Sequence, residues 1–134
     1  MSEINNKQLK RDAREALRKE RRGLSAVGKF LRCPPRKAQM RAKGLVGAPV
    51  LATVEALKCA PGSSARLLRT VIFSAISNAA RVLERKVEEL DDFVIDKILV
   101  GDGPRLKRFH PVSHGTAKPI LKRMCRVEVW VKRK

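Results

Sequence analysis

The clearest pattern along the chain is a helical repeat of apolar residues near its middle. In SSARLLRTVIFSAISNAARVLERK, residues 63–86, apolar side chains recur every three or four positions. This spacing places them on one face of an amphipathic helix. A serine, Ser63 or Ser64, is expected to cap its N-terminus. The segment is therefore predicted to be the core helix, with a buried face made of Leu68, Val71, Ile72, Ala75, Ile76, Ala79, Val82 and Leu83.

Two shorter helices are predicted before the core helix, and a proline introduces each of them. Pro35 occupies the first position of the basic segment PRKAQMRA, which we expect to end at Gly44 or Gly47. Pro49 precedes VLATVEALK, whose apolar residues also follow a helical spacing, and a Pro-Gly pair should end this helix. The first half of the domain is thus predicted to be helical.

Alternating apolar and polar residues predict strands in the second half. In RVEVWVKRK, residues 126–134, three valines alternate with Glu128 and Trp130, which is typical of a half-buried strand. FVIDKILVGDGP, residues 93–104, is predicted to be a strand that its Gly and Pro close, and KFLR after Gly28 a short edge strand. Helices followed by strands favour an α+β fold with a small antiparallel sheet.

The segment between these strands, GDGPRLKRFHPVSHGTAKPILKRMCR, fits neither a core strand nor a helix. It holds seven Lys and Arg, three prolines and one acid, Asp102. If residues 104–112 pair with 116–126, with the turn near Gly115, the arms are roughly 30 Å long. A body this small cannot cover such a hairpin, and an isolated hairpin is only marginally stable in water. We therefore predict a projecting β-hairpin, about residues 101–126, that a partner stabilises.

The distribution of charge indicates what that partner is. The 134 residues carry a net charge of +18. Residues 1–45 hold 14 basic and 4 acidic side chains, residues 46–100 hold 7 of each, and residues 101–134 hold 10 and 2. A neutral middle between two basic ends favours a folded body with cationic extensions. Nucleic acid is the leading partner, and an anionic membrane surface is the second.

The first 27 residues form a basic N-terminal extension, followed by one domain over residues 28–134. Residues 5–22 can form a helix, but its apolar stripe is thin and mostly alanine. Two interpretations stay open for this segment. It is either a charged tail or an arginine-rich arm that becomes ordered on RNA.

The sequence offers little support for catalysis, a metal or a membrane. Three widely spaced cysteines, Cys33, Cys59 and Cys125, are interpreted as reduced structural thiols. The two histidines of HPVSH lack further ligands for a zinc site, so no metal and no cofactor are expected. No set of a nucleophile, a base and an acid stands out, and no apolar run is long enough to span a bilayer or resembles a secretion signal. Phe109 is the one candidate for stacking on a base, although packing against the opposite arm is the favoured interpretation.

Several motifs together resemble the large-subunit ribosomal protein twenty-two family, whose extended hairpin lines the nascent-peptide exit tunnel. The resemblance runs from about Gly28 to Val131. It includes PRKA, SARLLRTVIFSAISNAA, DDFVIDKILVGDGPRLKRFHP and the pattern G-T-A-x-x-I-L-K-R. The family fold implies three helices packed on a three-stranded antiparallel sheet with the long hairpin attached.

The resemblance also implies a function and its residues. The protein would be a non-enzymatic constituent of the large ribosomal subunit, in the cytoplasm of a bacterium or in an organelle, and would not form a homo-oligomer. It would bind ribosomal RNA, support assembly, and contact neighbouring ribosomal proteins and the nascent peptide. Contacts to RNA would come from Lys29, Arg32, Arg36, Lys37, Lys43, Arg105, Lys107, Arg108, Lys118, Lys122 and Arg123. The tip facing the tunnel would be Pro111, Val112, Ser113, His114, Gly115, Thr116 and Ala117.

The chain departs from the family pattern at a few positions. Cys33-Pro34 replaces the usual capping serine, and Arg41 and Gly44 replace apolar residues of the first helix. The tip carries fewer cations than is usual for the family. The alternative function is a regulator outside the ribosome that binds nucleic acid with the same fold.

Overall fold

A computed structural model describes Arg11 and residues 24–84 and 86–134. Apart from Arg11, the helix predicted over residues 5–22 lies outside the described residues. The three helices and the antiparallel three-stranded sheet confirm the predicted α+β fold. In chain order the elements are β1 (Ser25–Leu31), α1 (Pro35–Ala42), α2 (Val50–Cys59), α3 (Ser63–Leu83), a short 3₁₀ helix (Val87–Glu89), β2 (Phe93–Pro111) and β3 (Ala117–Arg133).

The sheet has the order β1-β3-β2, so that β3 is its central strand. Alternate residues of β3 are buried under the helices, namely Cys125, Val127, Val129 and Val131. The residues between them, including Glu128 and Trp130, are half-buried or exposed on the opposite face. The prediction of a half-buried strand at 126–134 is therefore confirmed.

Helix α3 packs on β1 and β3 and supplies much of the core. Its predicted buried face is confirmed from Leu68 to Ala79 but is wrong at Val82 and Leu83, which are 48% and 40% exposed. The helix ends at Leu83, because Glu84 takes a left-handed φ of 52°, and its last turn extends past the buried interface.

The predicted serine cap of α3 is also wrong. Gly62 is the N-cap, at a φ of 100°, and no side chain donates or accepts a capping hydrogen bond. Ser63 and Ser64 are already helical residues. Glycine adopts positive φ readily, so Gly62 turns the chain into the helix and moves the serines into its first turn.

As predicted, α1 begins at Pro35 and α2 begins directly after Pro49. Pro35 is the first residue of α1, whereas the helix ends at Ala42, two residues before the first predicted stop. Arg41, which replaces an apolar residue of the family pattern, donates a hydrogen bond to the carbonyl of Pro61 after α2. Between α3 and the sheet, Asn78 Nδ2 donates to the Ser25 carbonyl at 2.9 Å.

Both outer strands are longer than the sequence predicted. β1 begins at Ser25, before Gly28, and β2 continues to Pro111 instead of stopping at the Gly-Asp-Gly-Pro segment. In β2 the register shifts between Asp102, opposite Cys125, and Arg105, opposite Arg123. This bulge accommodates Gly103 and Pro104, because a proline without an N–H is tolerated where the ladder is interrupted. The hairpin arms therefore continue directly from the strands of the core.

The three cysteines are free thiols in different environments. Cys33 and Cys125 are 1% exposed, and burial raises the pKa of both thiols. The neighbouring Lys37 and Arg41 partly oppose this effect on the pKa of Cys33. Cys59 is exposed, so the interpretation of all three cysteines as structural is wrong for this residue. Cys59 is the last residue of α2 and is exposed.

We expect one thiol per chain to react rapidly with a maleimide in the native protein. Cys59 is accessible, whereas Cys33 and Cys125 are both buried and protonated at neutral pH. Mass spectrometry of the labelled protein measures this directly. A Cys59→Ser variant should lose the rapid phase. Fast labelling of two or three thiols without denaturant would contradict the burial of this pair.

Candidate nucleic-acid interface

The ladder between β2 and β3 fixes where the hairpin cations lie. Seven consecutive pairs run from Arg105 opposite Arg123 to Pro111 opposite Ala117. Successive residues of a strand point to opposite faces. One face therefore carries three predicted contact residues, Arg105, Lys107 and Arg123, and the other face carries Arg108, Lys118 and Lys122. All six are exposed.

This distribution is unfavourable for the hairpin alone. Arg105 lies directly opposite Arg123, and like charges in this position destabilise a pair of strands. The described residues contain four ion pairs, and only one of them involves a predicted contact residue: Arg105 lies 3.4 Å from Asp102. The other five predicted contact residues of the hairpin have no carboxylate partner within the described part of the chain. An external polyanion would neutralise both faces.

A cavity of about 710 Å³ lies where the hairpin leaves the body. Four of the predicted contact residues line it, which are Arg32, Arg108, Lys122 and Arg123. The remaining lining residues are apolar, namely Pro34, Leu106, Leu121 and Met124. Cations around an apolar surface suit a ligand that has both charged and flat apolar groups, as nucleotides do.

The other predicted residues of the body are not gathered at this cavity. Lys43 lines a separate cavity of about 390 Å³ beside Ile98 and Val100 of β2. Arg36 and Lys37 are exposed on the first turn of α1, and Lys29 is exposed on β1. These residues extend the basic surface from the hairpin onto the body, without forming one site with it.

The tip is a tight turn between Pro111 and Ala117. The Val112 N–H donates to the Thr116 carbonyl at 2.9 Å, and the Thr116 hydroxyl donates to the Ser113 carbonyl at 2.9 Å. Gly115, where the sequence predicted the turn, has a φ of 69°, and His114 has a φ of 60°. Two consecutive residues at positive φ are typical of turns that match the twist of a hairpin.

Sequence reasoning missed part of this surface. Phe109 lies opposite Pro119 but is 77% exposed, so packing against the opposite arm covers little of its ring. Leu106 and Leu121 line the cavity, and each is next to a cation in the sequence, in RLKRF and PILKR. These apolar residues beside cations were a signal for an apolar surface inside the basic arm. Phe30, 64% exposed beside Lys29, gave no signal in the sequence.

Two observations concern other kinds of site. No helix within the described residues is long and apolar enough to cross a membrane. Across residues 24–84 and 86–134, no group of three or more side chains is arranged to hold a metal ion.

The fold and the surface together define a small, basic α+β protein with a cationic β-arm. The sequence profile of the family described as ribosomal protein L22p/L17e matches residues 26–132, and the chain belongs to this family. Its members are structural proteins of the large ribosomal subunit and not enzymes.

Individual relatives support the same assignment. The chain is 34% identical to the large ribosomal subunit protein uL22 of Petrotoga mobilis, over 96% of this chain and 88% of the relative. It is 38% identical to uL22 of Pseudothermotoga lettingae, over 81% and 76% of the two chains. With uL22 of Desulfosudis oleivorans the identity is 37%, over 79% and 90%. The match to Petrotoga mobilis extends beyond residues 26–132 into the basic extension.

Proposed function

We propose that this protein binds the RNA of the large ribosomal subunit, supports its assembly, and lines the nascent-peptide tunnel with the tip of its hairpin. The observation that carries the proposal is the presence of three exposed cations on each face of the β2–β3 hairpin. A protein that lies on the surface of an RNA needs cations on one face only. Cations on both faces suit an arm that passes between RNA segments.

The cavity at the root of the hairpin supports a specific docking position. Arg32 belongs to the body, and Arg108, Lys122 and Arg123 belong to the arm. An RNA segment in this cavity would contact both parts at once and fix the arm relative to the body. Contacts to phosphate position a protein without reading sequence, so selectivity would come from shape.

The tip is suited to a different neighbour. Between Pro111 and Ala117, His114 is the only side chain that can carry a positive charge. The seven residues are small, polar or weakly apolar, and all but Val112 are exposed. A surface with little charge beside a peptide would interact weakly with many sequences, as a tunnel wall requires. The bacterial relatives favour the cytoplasmic ribosome of a bacterium, and partners there include neighbouring ribosomal proteins.

The proposal predicts where the tagged protein sediments and what its tip contacts. In a bacterial lysate at physiological salt, most of it should sediment with large subunits and move to the top of the gradient after ribonuclease treatment. In a Cys59→Ser background, a Ser113→Cys variant in ribosomes with a stalled nascent chain should form a crosslink to that chain. Ser74→Cys, exposed on α3, is the matched control and should not.

Two results would contradict the proposal separately. Protein that sediments mainly free of large subunits would favour the alternative, a regulator outside the ribosome. Protein that sediments with large subunits, but whose tip crosslinks no more than the Ser74 control, would remove the tunnel role and leave RNA binding intact.

A further inference from the structure

The bulge in β1 holds an aromatic residue in an unusual conformation. Gly28 lies opposite Val127 and Leu31 opposite Cys125, so Lys29 and Phe30 together face Arg126. Phe30 has a φ of 55°, in the left-handed region. Bulges that need this conformation normally use glycine, because a side chain with a Cβ is strained there.

Burial does not explain why a phenylalanine occupies this position. The Phe30 side chain is 64% exposed, so little apolar surface is removed from water to offset the strain. Strained residues persist where the surrounding structure holds them, and they are concentrated at functional sites. Here β1 is held on both sides of the bulge by its ladder with the central strand β3.

The Phe30 ring lies beside two cationic side chains, as is common at contacts to RNA. Phe30 lines a cavity of about 290 Å³ with Lys29, Arg126 and the β2 bulge, residues 102–104. The one acid in that cavity, Asp102, is paired with Arg105, and Arg126 is also paired with Glu128 on β3. At Gly103 the wall of this cavity is backbone without a side chain, and an added Cβ would lie 3.1 Å from the backbone of Met124.

The position is continuous with the interface already described. Arg32, two residues after Phe30, lines the large cavity at the root of the hairpin. The bulges of β1 and β2 interrupt the two ladders on either side of β3, near Cys125. A chain of RNA lying along the root of the hairpin would therefore pass Phe30.

We propose that Phe30 is a stacking site for one unpaired base of RNA, with Lys29 and Arg126 contacting the flanking phosphates. The inference rests on the proposed binding of large-subunit RNA and adds a specific contact to it. An exposed aromatic ring beside cations is a common way to hold an unstacked base, and any base can stack on it. A partner protein would gain nothing from the two adjacent cations without acids of its own, so RNA is the favoured occupant.

The test measures affinity of the full chain for an in vitro transcript of bacterial large-subunit RNA. Phe30→Ala should weaken binding about tenfold, whereas Phe30→Trp should bind within about twofold of the original. Phe73→Ala is the matched control, because Phe73 is 51% exposed on α3 and lies outside the basic surface. The salt dependence of Phe30→Ala should be unchanged, since no cation is removed.

A Phe30→Gly variant separates the ring from the stability of the fold. Glycine accepts the left-handed φ, so Phe30→Gly should melt at a Tm about 4 °C above that of Phe30→Ala. Both lack the ring and should bind RNA equally weakly. Affinity that instead follows Tm across these variants would overturn the stacking site.

The remaining outcomes are also distinguishable. If the original protein binds the transcript and Phe30→Ala binds as well as Phe73→Ala, the stacking site is wrong and the proposed function stands. Ultraviolet crosslinking in assembled subunits should join the peptide containing Phe30 to RNA, and a crosslink to a protein alone would overturn the inference. If the original protein does not bind the transcript, both proposals fail.

Discussion

Replacing Lys107, Arg108, Lys122 and Arg123 with glutamine should lower the affinity for large-subunit RNA on the order of a thousandfold at about 0.1 M salt. The four cations are exposed, two on each face of the hairpin, and no carboxylate in the described residues neutralises them. Each contact to a phosphate that is lost should reduce the slope of log affinity against log salt by about 0.7–0.9. Titrations at several salt concentrations measure both quantities.

A control variant must remove the same charge elsewhere. Lys58, Arg66, Arg81 and Lys86 are exposed on or beside the helices and outside the predicted contact set. Their replacement with glutamine should change the slope by less than one, through the general fall in net charge alone. If the two variants lose affinity equally, the hairpin is not the principal contact. An unchanged slope in the hairpin variant would mean that its cations do not contact phosphates.

The second large effect concerns the core. Ile76→Ala should lower the free energy of unfolding by about 2–5 kcal/mol, because Ile76 is fully buried and its loss leaves a cavity between α3 and the sheet. Val82→Ala, on the same helix, should change it by less than about 0.5 kcal/mol, since Val82 is 48% exposed. Urea unfolding followed by circular dichroism measures both variants.

The same pair of variants tests the boundary of the buried face. The helical repeat of apolar residues predicted that Ile76 and Val82 belong to one face, and the structure separates them. Equal losses for both variants would support the repeat and contradict the structure. Both substitutions place an alanine in a helix, and alanine has the highest helix propensity. Helix propensity therefore favours both variants and does not account for the expected difference in their free energies of unfolding.

The repeat failed at Val82 for a physical reason. Periodicity reports which side of a helix is apolar, but burial depends on where the neighbouring elements end. The repeat was correct from Leu68 to Ala79, where α3 crosses the sheet. Beyond that point the same pattern continues, but the described residues leave Val82 and Leu83 about half exposed. The sequence of α3 does not show directly how far its interface with the sheet extends.

Other errors arose at positions that a neighbouring strand decides. Gly101 to Pro104 has the composition of a turn, and the prediction ended β2 there. The strand instead continues with a bulge, because β3 offers pairing partners on both sides of the interruption. Local residue preferences favoured a stop, and the long ladder with β3 outweighed them.

In the candidate site, too, the sequence predicted some features but not those that depend on contacts in the folded chain. Composition and spacing predicted two basic arms joined near Gly115, and the resemblance to the family implied which of their cations contact RNA. The cavity at the root could not be predicted, because Arg32 and Arg108 are far apart in sequence and meet only in the folded chain. The conformation of Phe30 depends on a bulge in β1, which no residue preference in KFLR indicates.

The seven uninterrupted pairs of the hairpin restrict how its reach can change during evolution. Each added pair advances the tip by about 3.3 Å and also exchanges the two faces for every residue beyond it. Adding or removing one pair would therefore point each side chain of the tip to the opposite side. Changes of two pairs, about 6.6 Å, preserve the facing. Homologues with arms of different length should thus differ by an even number of residues in each strand.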